Sequence, residues 1–106
     1  MANFNFFRKI VEDLTANTKT RITELNDEFE SRNNEKLCNV LYVRNNADNL
    51  VTVELNEDDN QRFEIASNGG TFILDKKDNI VFDKIALVEE NGNTVTGKIV
   101  VTGGVV

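Results

Sequence analysis

The chain has 106 residues, 40% of them hydrophobic, and a formal charge of −6. That length fits one domain, or an arm plus a small domain, with a modest core. Asp48, Glu54, Glu57, Asp58 and Asp59 fall between Arg44 and Arg62 with no Lys or Arg among them. Phosphate backbones are bound mainly by cationic side chains that displace counterions, so direct nucleic-acid binding is not expected.

At the N-terminus, Phe4, Phe6 and Phe7 precede the charges of Arg8 and Lys9, and no long apolar run with a small-residue cleavage site follows. This pattern is not that of a signal peptide, and no stretch approaches the ~18 apolar residues that a spanning helix needs. Cys38 is the only cysteine and there is no Asn-x-Ser/Thr acceptor. A disulfide framework is therefore excluded, and synthesis in a reducing cytoplasm is expected.

From Phe6 to Phe29 the apolar positions Phe7, Ile10, Val11, Leu14, Ile22, Leu25 and Phe29 are spaced by three and four, apart from one gap. That spacing predicts an amphipathic helix, capped by Asn3 or Asn5 and stopped near Ser31 to Asn34. The polar, β-branched gap Ala16 to Arg21 predicts a kink or a division into two helices. Residues 1–36 are thus expected to form a helical N-terminal arm, packed on the body or protruding to join a partner. The aromatic cluster favours the partner, because Phe4, Phe6 and Phe7 need apolar surroundings. Phe4, Phe6, Phe7, Ile10, Val11 and Leu14 are the candidate partner-binding residues.

After Leu37 the period changes to two. Strands are expected at Cys38 to Arg44, Leu50 to Leu55, Arg62 to Ala66, Thr71 to Asp75, Ile80 to Val88 and Thr94 to Val101. In the second, Val51, Val53 and Leu55 point one way, while Thr52 and Glu54 point toward solvent. Asn-, Asp- and Gly-rich segments separate the runs, and Asn91-Gly92 carries the strongest hairpin signal. About six short strands joined by hairpins predict an antiparallel sandwich or barrel over residues 37–106, giving an α+β chain overall. The tail Thr102 to Val106 is expected to fray, with addition to a neighbour's sheet edge as the alternative.

Catalytic chemistry finds little support. There is no histidine, so serine triads, Cys-His nucleophiles and ordinary zinc or iron sites are not expected. Cys38 reads as a small core hydrophobe. No phosphate-cradling or dinucleotide-binding glycine motif is present, and no cofactor is implied. Glu54, Glu64, Asp75 and Asp83 lie on polar strand faces or beside turns, where acids are ordinarily solvated. Asn56 to Asn60 offers hard oxygen ligands for calcium, but it lacks the spacing and glycine of the EF-hand loop and reads as an acidic turn.

The segments Asn68-Gly69-Gly70-Thr71-Phe72-Ile73-Leu74, Phe82-Asp83-Lys84-Ile85-Ala86-Leu87-Val88, and Asn91-Gly92 with Gly97-Lys98-Ile99-Val100-Val101 resemble the β portions of small virion proteins of tailed bacteriophages. Those proteins serve as decoration, head-fibre, or neck and tail accessory subunits. The resemblance implies a non-enzymatic structural or accessory subunit of a virion or similar assembly, made in the bacterial cytoplasm. Its partners would be other protein subunits, itself included as a homo-oligomer, with neither nucleic acid nor membrane. Two alternatives remain: a soluble module binding carbohydrate or a host protein, and an acidic inhibitor of a nucleic-acid enzyme.

Overall fold

The computed structural model describes residues 6–22 and 38–106. Phe4, the expected caps Asn3 and Asn5, and the helical positions Leu25 and Phe29 lie outside them. The described chain forms β1 (Phe6–Leu14), β2 (Lys19–Arg21), β3 (Val40–Asn45), β4 (Val51–Leu55), β5 (Arg62–Ile65), β6 (Gly70–Leu74), a single 3-10 turn (Lys76–Asp78), β7 (Ile85–Val88) and β8 (Val95–Gly104). These strands make two antiparallel sheets, ordered β1-β8-β3-β6 and β2-β7-β4-β5. The described chain is therefore nearly all β. The α+β class, with its N-terminal amphipathic helix, is overturned, because β1 and β2 occupy the described part of that stretch, residues 6–22.

The helix-like spacing of Phe7, Val11 and Leu14 has a β explanation. Alternation in β1 sends Phe7 and Val11 inward and leaves Phe6 and Ile10 outside. The register then shifts between Glu12 and Leu14, where Asp13 adopts a left-handed φ of 58°. Two residues of β8, Thr96 and Gly97, stand opposite Asp13, whose Oδ1 accepts the Gly97 N–H at 2.8 Å. This irregularity returns Leu14 to the core at 2% exposure. Positions i, i+4 and i+7 thereby share a side without any helix.

The six expected strands in the body are present, with Ile80 to Val88 shortened to Ile85–Val88 and Thr94 to Val101 extended to Gly104. The connections differ more. Among the described strands only β4 and β5 are both consecutive and paired, while the other consecutive strands lie in opposite sheets. Pairing instead follows β1 with β8, β2 with β7, β3 with β6 and β4 with β5. A four-strand run thus returns beside itself as a long antiparallel ribbon. Contacts of β3 with β8 and of β4 with β7 close the folded ribbon into two sheets. This is the jelly-roll order, two Greek keys wound together.

Between the sheets lie the inward residues of both, including Leu41, Val43, Val51, Val53, Leu55, Ile65, Leu87, Val95, Ile99 and Val101. Phe82, fully buried, is placed by a bridge to Cys38. Phe63 of β5 stacks on Phe72 of β6 with ring centroids 4.8 Å apart, closing the side where the two sheets' edges approach. The tail does not fray, since Gly103 and Gly104 pair with β1 on one side and β3 on the other. A Cβ at Gly103 would stand 2.8 Å from Cζ of Phe7, so the glycine makes room for that ring.

Candidate interaction face

The structure divides the candidate partner-binding residues between two environments. Phe7 and Leu14 are buried, and Val11 packs partly buried against the core. Phe6 and Ile10 remain 45% and 46% exposed on the outer face of the β1-β8-β3-β6 sheet. The pairing brings further residues beside them. Arg8, Thr102, Tyr42 and Ile73 form one row across the four strands, and Ile10, Val100, Arg44 and Thr71 form the next. Tyr42 and Ile73 are exposed, Ile73 at 63%, and Val40 and Val100 are half-buried. Apolar side chains from every strand of one sheet therefore share a face.

Charge is also uneven there. Arg8, Arg44 and Lys98 are exposed on that face, whereas the chain as a whole is acidic. Glu12 lies opposite Lys98 in the register, with Nζ and Oε1 3.8 Å apart. The Arg44 guanidinium donates to Oδ1 of Asn46. The face is thus basic and apolar.

The other sheet has a different outer surface. Thr52 and Glu54 do point away from the intersheet core, but both are buried at 1% exposure instead of being solvated. Lys19 Nζ and the Arg62 guanidinium each reach a Glu54 carboxylate oxygen at 2.7 Å. Desolvation opposes ionisation of Glu54, but hydrogen bonds from Lys19 and Arg62, reinforced by their charges, outweigh it and hold its pKa low. Arg62 continues the network to Glu90 at 2.8 Å and Asp59 at 3.1 Å. A depression of about 270 Å³ opens beside Lys19, Arg62 and Glu90. Lys19, Arg62 and Glu90 there are already engaged in this ion-pair network.

Glu89, at 2% exposure, was not singled out by sequence reasoning. Its carboxylate accepts the backbone N–H groups of Asn17, Asn91, Gly92 and Asn93, all within 3.0 Å. The Asn17 bond, aided by the other three against desolvation, keeps this carboxyl below its ordinary range. This arrangement also explains why Asn91-Gly92 is not a two-residue hairpin turn. Gly92 has φ 80°, while Asn91 is not among the positive-φ residues, and the loop crosses from one sheet to the other around the carboxylate. A turn motif alone carries no hint of an anchor 72 residues away from Asn17.

The remaining sequence candidates are distributed in the same way. Burial, with Asp83 nearby, pushes the Cys38 thiol up to about 12, so it is protonated at neutral pH. In the acidic turn, Glu57 pairs with Arg21 and Lys84, and Asp59 pairs with Arg62. Asn56 holds the turn through Gln61, the Val81 carbonyl and the Asp83 N–H. Among the described residues, no group of three or more Cys, Asp or Glu side chains is placed to hold a metal ion. Asp75 caps the 3-10 turn by accepting the Lys77 N–H. No helix among them is long and apolar enough to cross a membrane. No protein-family model, curated protein or solved structure matches the chain.

Proposed function

We propose that the chain is a non-enzymatic structural or accessory subunit of a protein assembly, docking through the outer face of the β1-β8-β3-β6 sheet. The observation that carries this reading is the alignment of exposed Phe6, Ile10, Tyr42 and Ile73 on one sheet face. Grouped exposed apolar residues rimmed by charge are characteristic of interaction surfaces, and aromatic anchors commonly carry much of an interface's energy. Jelly rolls occur in viral capsid and lectin domains, so the virion class suggested by sequence resemblance is compatible with this architecture, by analogy of fold alone.

The partner we favour is another copy of the chain. The chain's net charge of −6 complements its basic docking face, which favours a head-to-tail contact over a self-complementary one. The test is light scattering on the full chain beside Ile10→Ser/Ile73→Ser, which removes apolar area from the face without touching the core. An oligomer that dissociates in the variant and at high salt supports the reading. A wild-type monomer, or an oligomer indifferent to the substitutions, overturns it.

A carbohydrate-binding module is the second reading, favoured by the exposure of two aromatic rings, Phe6 and Tyr42, on the same face. Titration with a glycan set distinguishes it, because Tyr42→Ala should then abolish binding by a monomer.

A further inference from the structure

Asn-Gly occurs twice in the chain, at Asn68-Gly69 and Asn91-Gly92. In such a pair the glycine nitrogen can attack Cγ of the asparagine side chain, since glycine has no Cβ to hinder ring closure. The new C–N bond closes a succinimide, the amide C–N bond breaks, and ammonia leaves with the proton lost by the glycine nitrogen. Water then opens the ring at either carbonyl, giving aspartate or isoaspartate. The step requires a glycine N–H that can release its proton.

The two pairs are held differently. Gly69 donates its N–H to the neutral carbonyl of Asn45 at 2.7 Å. Gly92 donates to the Glu89 carboxylate at 2.9 Å, and the N–H groups of Asn91 and Asn93 on either side bond the same carboxylate. A negative charge at hydrogen-bond distance opposes loss of the Gly92 proton. The three adjacent anchors also restrain the backbone movement that ring closure needs. Asn91 itself is exposed and accessible to water.

We infer that Asn91 is a latent succinimide-forming modification site that the buried Glu89 carboxylate keeps closed in the folded protein. The four backbone donors keep Glu89 ionised at neutral pH, so the restraint is present under ordinary conditions. Opening the site would be self-reinforcing. Either product places a new carboxylate two residues from Glu89, and isoaspartate also lengthens the backbone by one methylene in the link between β7 and β8.

Deamidation at both sites is followed by peptide mapping with isoaspartate detection, in the wild type, Glu89→Ala and Glu89→Gln at mildly alkaline pH. Asn91 in the folded wild type should react far more slowly than in the urea-unfolded chain. Glu89→Ala should raise its rate roughly tenfold or more, the scale of a lost hydrogen bond to a charged group, with Asn68 unchanged. Glu89→Gln, which keeps an acceptor oxygen but no charge, should fall between and decides the matter if the alanine variant does not fold. Equal wild-type rates folded and unfolded overturn the inference. So does an unchanged Asn91 rate in the variants, or a parallel rise at Asn68 that signals general unfolding.

Discussion

Substituting Phe7, Ile10 and Leu14 singly by alanine separates a strand from the helix that their spacing imitates. On a helix all three share one stripe and should cost similar amounts. In β1 they do not, because Phe7 and Leu14 are 7% and 2% exposed and Ile10 is 46% exposed. Buried Phe→Ala substitutions cost about 3–5 kcal/mol and buried Leu→Ala about 2–5 kcal/mol, from lost transfer energy and the cavity left behind. Phe7 belongs toward the upper part of its range, since its ring fills the space over Gly103, a residue that has no side chain of its own to close the cavity. Ile10 keeps about half its surface in water, so its replacement should cost about 1 kcal/mol or less. For a chain of 106 residues, 1 kcal/mol corresponds to a shift in Tm of roughly 4–5 °C. Urea unfolding followed by circular dichroism should give clearly reduced midpoints for Phe7→Ala and Leu14→Ala, a nearly unchanged one for Ile10→Ala, and a constant m-value. An Ile10→Ala cost equal to that of Leu14→Ala would refute the alternation.

Three further predictions concern polar groups inside the fold. Asn45 is fully buried; its Nδ2 donates to the carbonyls of Asn49 and Ile65 and its Oδ1 accepts the Ala47 N–H. Asn45→Asp replaces both donations with a buried negative charge facing carbonyl oxygens, so it should cost more than about 3 kcal/mol at neutral pH and less in acid, read from urea midpoints at two pH values. Among the described residues the buried Thr52 hydroxyl has no hydrogen-bond partner, and Thr52→Val should stabilise the protein by about 1 kcal/mol in the same assay. The pKa values of Glu54 and Glu89 are lower folded than unfolded, so their stabilisation is fully present above the ordinary carboxylate range and fades as pH falls through their folded values. A melting-temperature series into acid should therefore slope downward, and Glu89→Gln should flatten it by up to about one proton.

The strands of the body were legible because alternation in runs such as Val51 to Leu55 is a local signal that burial on one side imposes directly. β1 was not legible for two local reasons. Lys9 occupies a place in the inward alternation that an apolar residue would have marked, and the left-handed Asp13 turns Leu14 inward one position out of phase. Each departure removes evidence for period two while supplying evidence for period 3.6. Connectivity was hidden for another reason, since Asn, Asp and Gly serve a crossing loop as well as a hairpin. The buried acids were hidden because their burial depends on partners far away in sequence: Glu54 on Lys19, 35 residues earlier, and Glu89 on Asn17.

A strand in place of a helix changes what the N-terminal aromatics can do. On a helical arm, Phe6, Phe7, Ile10, Val11 and Leu14 would offer one docking surface independent of the body. In the ribbon, Phe7, Val11 and Leu14 stabilise the sandwich, and the exposed Phe6 and Ile10 have meaning only beside Tyr42, Val100 and Ile73 from three other strands. Removing residues 1–31 would therefore take away β1 and β2, an edge strand of each sheet, with the buried Phe7, Leu14 and Ile22, and loss of association after that truncation would not separate docking from folding. Substitutions confined to outward positions do separate them, because alternation gives each neighbouring residue of β1 a different neighbourhood. The docking face is a property of the whole sheet, and it can be altered only after the strand order is known.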